Sequence, residues 1–474
     1  MIEELFYLSA VEALTLFKER RLSPVELLDA QVRRYQQVNP DINAFSDTFF
    51  ELALEQARLA ESKYLSGAPV GQLEGIPTAI KDEVDVQGQR NTEGSLIHQQ
   101  RIADSDAIFV SRLRREGAIF HARTTCPEFC SLWNTQSRLF GTTRNPWNLD
   151  ITPGGSSGGA GAALAAGTTT LASGSGIGGS IRFPASMCGV VGFKPPFGRI
   201  PDLMFPFNLD SCNKNGPMAR TVADTILMQN VMSGSHPADA ASKLPDVHIP
   251  MVTDQNLKGT RIAFTMNFGY LDIEPDVVSN TLDMLDRLRD LGAELVEVCV
   301  DWFADMDGAY CAHLDQIFGA SMAKYLEEHR EMMCDYNVML TQQSLANASK
   351  PLNFYESMMV EAQANARFGL LMEDFDVFVC PTVNSNRLTA DFNPVNEQYV
   401  VNGQVQELDL AMANCHYFNL MGRCPALSIP SGIGENDVPT GLQIAAAPFE
   451  DIAVYRVASI LENAGATSFQ KPTL

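Results

Sequence analysis

Apolar residues recur at helical spacing near the start of the chain, where Leu14 and Phe17 mark one run and Val25, Leu28, Val32 and Tyr35 a second. Ser23 followed by Pro24 supplies the second run with an N-cap and a first helical residue. The pattern predicts opening helices, with a further one over 49–64 (FFELALEQARLAESKY). LEGIPTAIKDEVDV then changes to the short apolar run and alternation of a strand, which carries Lys81. A helical VSRLRREGA and a short apolar AIFHA follow. From Lys258 the order is strand (RIAFTM), helix (VVSNTLDMLDRLRDLG) and strand (ELVEVCV), with Val278, Leu282, Leu285 and Leu288 on one helical stripe. Further strands are expected at DVFVCPTV, PALSIPSG and GLQIAAAP, and a closing helix over 452–463, terminated by Gly465 after one intervening alanine.

Strands alternating with helices predict an α/β fold. The stretch 236–259 reads as a loop, but no low-complexity linker or internal repeat divides the 474 residues, which points to one large domain over 1–474. Its expected parts are N-terminal helices over 1–64, a core over about 65–210 and a C-terminal α/β portion over 258–474.

Charge narrows the partners. With 34 Lys and Arg against 57 Asp and Glu, the net charge of −23 removes the basic footprint that phosphate contacts require, so neither nucleic acid nor an anionic membrane is an expected partner. Glu12, Lys18, Glu19 and Arg20 break the opening segment, so it does not read as a secretory leader. The longest charge-free stretch, 151–181, is too rich in Gly, Ser, Thr and Ala to span a bilayer. Ten scattered cysteines, without a Cys-x-x-Cys pair or a histidine at zinc-site spacing, read as reduced thiols of a cytoplasmic protein without a structural metal.

Between 150 and 200, Gly, Ser and Ala replace nearly all large side chains. Gly174, Gly176 and Gly179 satisfy the dinucleotide fingerprint, but Pro184 comes too soon for the long helix it requires, and Asp202 lies in a proline-rich loop. Ser156 and Ser157 both sit in G-x-S-x-G windows, with His236, His248, His313, His329 and His416 downstream as triad partners. The preceding Ile151, Thr152 and Pro153 make a poor buried strand for such an elbow.

A third reading joins these serines to Lys81. GIPTAIKDEVDV, then GTTRNPWN with PGGSSGG, then GIGGSIRFPASMCGVVGFKPPFGRIP resemble, in order and spacing, the motifs of the amidase signature enzymes, Ser-Ser-Lys hydrolases of carboxamides. The clear resemblance covers about 65–205, with a weaker one at FDVFVCPTV and FNLMGRCPALSIPSG. It implies a large central mixed twisted sheet covered by helices on both faces, no cofactor and no metal. Carried over by position, it makes Lys81 the general base, Ser156 the bridging serine after a cis peptide, and Ser180 the acyl-forming nucleophile. The backbone N–H groups of Ile177, Gly178, Gly179 and Ser180 are the implied oxyanion hole, and Gly154, Gly155, Phe129 and Trp133 the implied substrate contacts.

The residue types suit that chemistry. A serine hydroxyl needs a neighbouring base, and an amine serves as one when burial lowers its pKa, so Lys81 is expected to be desolvated. Alternation along the strand sends Asp82 to the opposite side. Two positions depart from the family pattern: Ser175-Gly176 stands where Thr-Asp is usual, and Glu83 where Asn is frequent. Specificity is expected from 127–140, 203–209 and the methionines of 302–360 (Met306, Met322, Met332, Met333, Met339, Met358, Met359), which suit an aryl or alkyl group. The expected activity is hydrolysis of hydrophobic or aryl amides, with carbamates or esters as secondary targets. The alternatives are the glutaminase component of an aminoacyl-tRNA amidotransferase, which works with partner chains, and a non-catalytic binding protein on the same scaffold. No feature encodes an oligomeric state, although a homodimer is common in the family resembled.

Overall fold

The computed structural model describes residues 4–204, 207–348, 353–407 and 409–474. Among them, eleven strands form one mixed sheet. In chain order these are β1 (Phe45–Thr48), β2 (Pro77–Lys81), β3 (Ile119–Thr124), β4 (Leu171–Gly176), β5 (Val191–Lys194), β6 (Lys214–Ala219), β7 (Arg261–Phe264), β8 (Glu294–Glu297), β9 (Val377–Pro381), β10 (Ala426–Ile433) and β11 (Pro439–Ala445). They lie side by side as β1-β3-β2-β4-β6-β5-β10-β11-β9-β7-β8. Two parallel groups, β3-β2-β4 and β9-β7-β8, flank an antiparallel centre.

Period-2 alternation explains why both faces are covered. Along β9, Phe378 and Cys380 enter one apolar cluster, with Met306, Tyr310 and Phe368 from the helices Ala304–Glu328 and Asn353–Leu371. Val377 and Val379 enter another, with Ile226, Leu285 and Val457 from Val222–Met232, Pro275–Asp290 and Asp451–Asn463. The α/β architecture expected from sequence is therefore present, with helices on both faces.

Local signals place several elements. Ser23 closes a reciprocal capping box with Glu26 and Pro24 opens Pro24–Ile42. The expected 49–64 helix is Phe50–Ser66, and the closing helix runs from Asp451 to Asn463 before Gly465 at φ 68°. One detail differs: Leu282 is 49% exposed, and Val277, Thr281 and Met284 join Leu285 and Leu288 on the buried side of their helix. The 236–259 stretch is loop apart from a short turn at Ala240–Ser242. The methionines divide, with Met306, Met322 and Met333 buried and Met358 and Met359 exposed. Within 203–209 and 302–360, residues 205–206 and 349–352 lie outside the described residues. No described helix is long and apolar enough to cross a membrane.

Candidate active site

Lys81 is the last residue of β2, and its strand neighbours deliver it into the protein with no exposure. Its backbone N–H donates to Ser173 Oγ at 3.0 Å, which ties the strand end to β4. Its Nζ lies 2.8 Å from Ser156 Oγ, 2.8 Å from Ser175 Oγ and 3.0 Å from Glu83 Oε1. The peptide bond before Ser156 is cis, as the resemblance implies.

Gly154 and Gly155 bring Ser156 to the lysine by close packing. A Cβ on Gly154 would stand 2.7 Å from Pro184 Cα, and one on Gly155 2.8 Å from the Trp133 carbonyl carbon. Ser157 bridges to the next segment: its Oγ donates to Ser175 O at 3.2 Å, and its N–H to Ser180 O at 3.2 Å. Ser180 is thus brought beside Ser156, although no hydrogen bond joins their hydroxyls among the described residues.

The turn from Ile177 to Ser180 follows β4, with Gly179 at φ 146°, a region that an L side chain avoids. Among the described residues the N–H groups of Ile177, Gly178, Gly179 and Ser180 have no protein acceptor. The loop is fixed from behind, where Asn419 Nδ2 donates to Gly176 O at 3.1 Å and Phe183 N–H to Gly179 O at 2.8 Å. Tyr310 and Cys415 fill the space that side chains at Gly178 and Gly179 would need. Trp133 packs edge-on against Phe183, with its ring beside Gly179 and its Nε1 donating to Asp409 Oδ2 at 3.0 Å. Phe129 stacks on Tyr325 at 5.1 Å, next to His98.

Asp82 and Glu83 differ in their roles. Asp82 points away as alternation predicts, accepting from Thr92 Oγ1 at 2.5 Å and Gly94 N–H at 3.1 Å. The strand ends at Lys81, however, and the following turn swings Glu83 back to the lysine. Burial disfavours the Lys81 charge, but the Cys130 sulfur, the Glu83 carboxylate and the Cys126 sulfur outweigh it and raise the lysine pKa. Lys81 is therefore buried as expected, while its proton is held more tightly than expected.

The histidines take other partners. His313 lies 3.0 Å from Asp210 and His416 2.7 Å from Asp307, whereas Ser156 bonds Lys81 and Ser157 bonds Ser175. Asp210, Cys212 and His313 also bring ligand-type atoms within 4.8 Å of one another, a grouping hidden in the sequence by the separation of His313 from the other two.

Fold and site together set a buried lysine, at the end of a strand of the mixed sheet, beside a glycine-serine loop. The amidase family pattern matches residues 26–454. An acylamidase of Rhodococcus erythropolis is 32% identical over 473 residues, 99% of this chain and 98% of the relative. A glutamyl-tRNA(Gln) amidotransferase component of Caldanaerobacter subterraneus is 29% identical, with 97% of each chain covered. A solved bacterial aryl acylamidase superposes with a TM-score of 0.88 at 26% identity, covering 97% of this chain and 96% of that one. The chain belongs to the amidase signature family and is an amidohydrolase.

Proposed function

We propose that the chain hydrolyses amides bearing a hydrophobic or aryl group through an acyl-enzyme on Ser180. The observation that carries this reading is the 2.8 Å contact of the fully buried Lys81 Nζ with Ser156, beside a loop ending at Ser180 whose four N–H groups have no acceptor among the described residues. In this reading neutral Lys81 takes the proton of Ser156, which takes that of Ser180, as Ser180 Oγ attacks the carbonyl carbon. The N–H groups of 177–180 receive the developing oxyanion. The same relay returns the proton to the departing amine, and water releases the acid.

The rings of Trp133 and Tyr310 beside Gly179 and Gly178 support an aryl or hydrophobic group near the reacting carbonyl. The acylamidase relative and the aryl acylamidase structure support the same class. Shared acyl-enzyme chemistry extends it to esters and carbamates. A sheet that draws strands from residue 45 to residue 445 supports one catalytic domain over the whole chain, and ten free cysteines support a cytoplasmic setting. The surplus of acidic residues supports a small-molecule substrate rather than nucleic acid. The glutaminase reading rests on the amidotransferase relatives. Turnover of acetanilides and other aryl amides by the purified chain alone tests the proposal; cleavage of glutamine only, and only with added partners, would replace it by the glutaminase reading.

A further inference from the structure

We propose that Glu83 is a positioning residue of the reaction: its carboxylate aims the Lys81 amine at Ser156 and controls when that amine can accept a proton. The inference rests on Lys81 as the base and Ser180 as the nucleophile.

The hydrogen count at Lys81 Nζ carries the first half. The Ser175 hydroxyl gives its hydrogen to Glu83 Oε1, which leaves its lone pairs to accept from Lys81 at 2.8 Å. Glu83 Oε1 forms an ion pair with the amine at 3.0 Å, on the same side as Ser175 Oγ. With Ser175 Oγ and the Glu83 carboxylate together drawing amine hydrogen to one side, the lone pair of the neutral amine is left for Ser156 Oγ at 2.8 Å. Without Glu83, the Ser175 hydroxyl loses the carboxylate that takes its hydrogen and keeps it an acceptor for Lys81, and the Ser175 carbonyl at 3.5 Å is too distant to hold the amine by itself.

The second half follows from charge. A carboxylate 3.0 Å from a fully buried amine favours the ammonium, so Glu83 makes Lys81 a stronger base that is free to act at higher pH. The groups facing this pair are Cys126 and Cys130 from the turn after β3 and Asp202 from the loop after β5. On the Lys81 segment itself, Asp82 is turned away and lies near Arg123.

The fold holds Glu83 in place. Its other oxygen accepts the Cys130 thiol hydrogen at 2.8 Å. Phe129 and Cys130 both adopt left-handed φ values, 52° and 57°, which non-glycine residues rarely occupy. That turn is pinned by the fully buried Glu128, which accepts from Ser95 Oγ at 3.0 Å, Cys334 N–H at 2.7 Å and Asn337 Nδ2 at 2.9 Å.

The test is the acylation rate of the full chain with an aryl amide, from neutral to strongly alkaline pH, normalised to sites that a fluorophosphonate labels at Ser180. For Glu83→Gln the midpoint of the alkaline limb should fall by about one pH unit or more, and the plateau by roughly tenfold, with KM changed less than about threefold. Glu83→Asn removes the same charge with the residue frequent in the family, so it should lower the midpoint likewise and keeps the test alive should Glu83→Gln fail to fold. Glu83→Asp should return the midpoint toward wild type. A Glu83→Gln or Glu83→Asn chain that labels fully and keeps the wild-type midpoint overturns the inference. Failure of wild-type Ser180 to label overturns instead the nucleophile assignment beneath it.

Discussion

Replacing Gly176 by alanine should slow acylation while leaving the fold in place. A Cβ there would stand 2.8 Å from Ser180 N, 3.0 Å from Ser180 Cβ and 3.2 Å from Ser180 Cα, where ordinary contact begins at 3.4 Å. The Ser180 backbone must therefore retreat by about 0.6 Å, since the opposing atoms are not the ends of a flexible side chain. Overpacking of this kind costs about 1–3 kcal/mol of stability. Its larger effect falls on rate, because a displacement approaching 1 Å at the reacting atoms costs on the order of 10²-fold. The expected result is acylation slower by about 10- to 100-fold with KM little changed, read by the burst phase with an aryl ester, and a modest loss in thermal stability. Gly176→Asp, which restores the residue usual in the family, should be no better, because the same Cβ precedes its carboxylate. Wild-type acylation in Gly176→Ala would refute the reasoning.

Other consequences are open to measurement. Lys81→Ala and Ser180→Ala should each nearly abolish turnover, and Ser156→Ala should slow acylation by about 10²-fold or more with unchanged circular dichroism. Burial raises the Glu462 carboxyl from 4.5 to about 7, so its contribution to stability is full below about pH 4.5 and lost as pH rises through about 7. Denaturant titrations should accordingly show Glu462→Gln gaining on wild type by up to about 3 kcal/mol between acid and mildly alkaline pH; a constant difference would contradict this. His121 behaves in the opposite sense, since burial lowers it from 6.5 to about 4 and its contribution is lost as pH falls through about 4. His121→Asn should therefore lose about 3 kcal/mol less than wild type over that acid range.

Much of this architecture is written locally. The α/β order follows from switches between period 3.6 and period 2, and Ser23-Pro24 marks its helix through capping alone. That Lys81 and Ser156 meet is implied by the resemblance of the motifs and not by any local pattern, and the structure brings the two side chains to 2.8 Å. Glu83 stands out as a departure, but its direction is not legible: parity along a strand stops where the strand stops, at Lys81. Leu282 falls on the wrong side because it sits at the edge of its stripe, where one helical position separates core from solvent. Pairs such as Trp133 with Asp409 and Asp210 with His313 join residues far apart in the chain, and no local pattern announces them. The helices between 304 and 371 pack on one another as well as on the sheet, which blurs their apolar stripes.

The most direct measurement is intact-mass spectrometry after treatment with a fluorophosphonate or a slow aryl ester, with peptide mapping, on wild type and Ser180→Ala. One adduct on Ser180 of the wild type and none on the variant is the predicted result. An adduct on Ser157, or none in the wild type, would contradict the acyl-enzyme on Ser180.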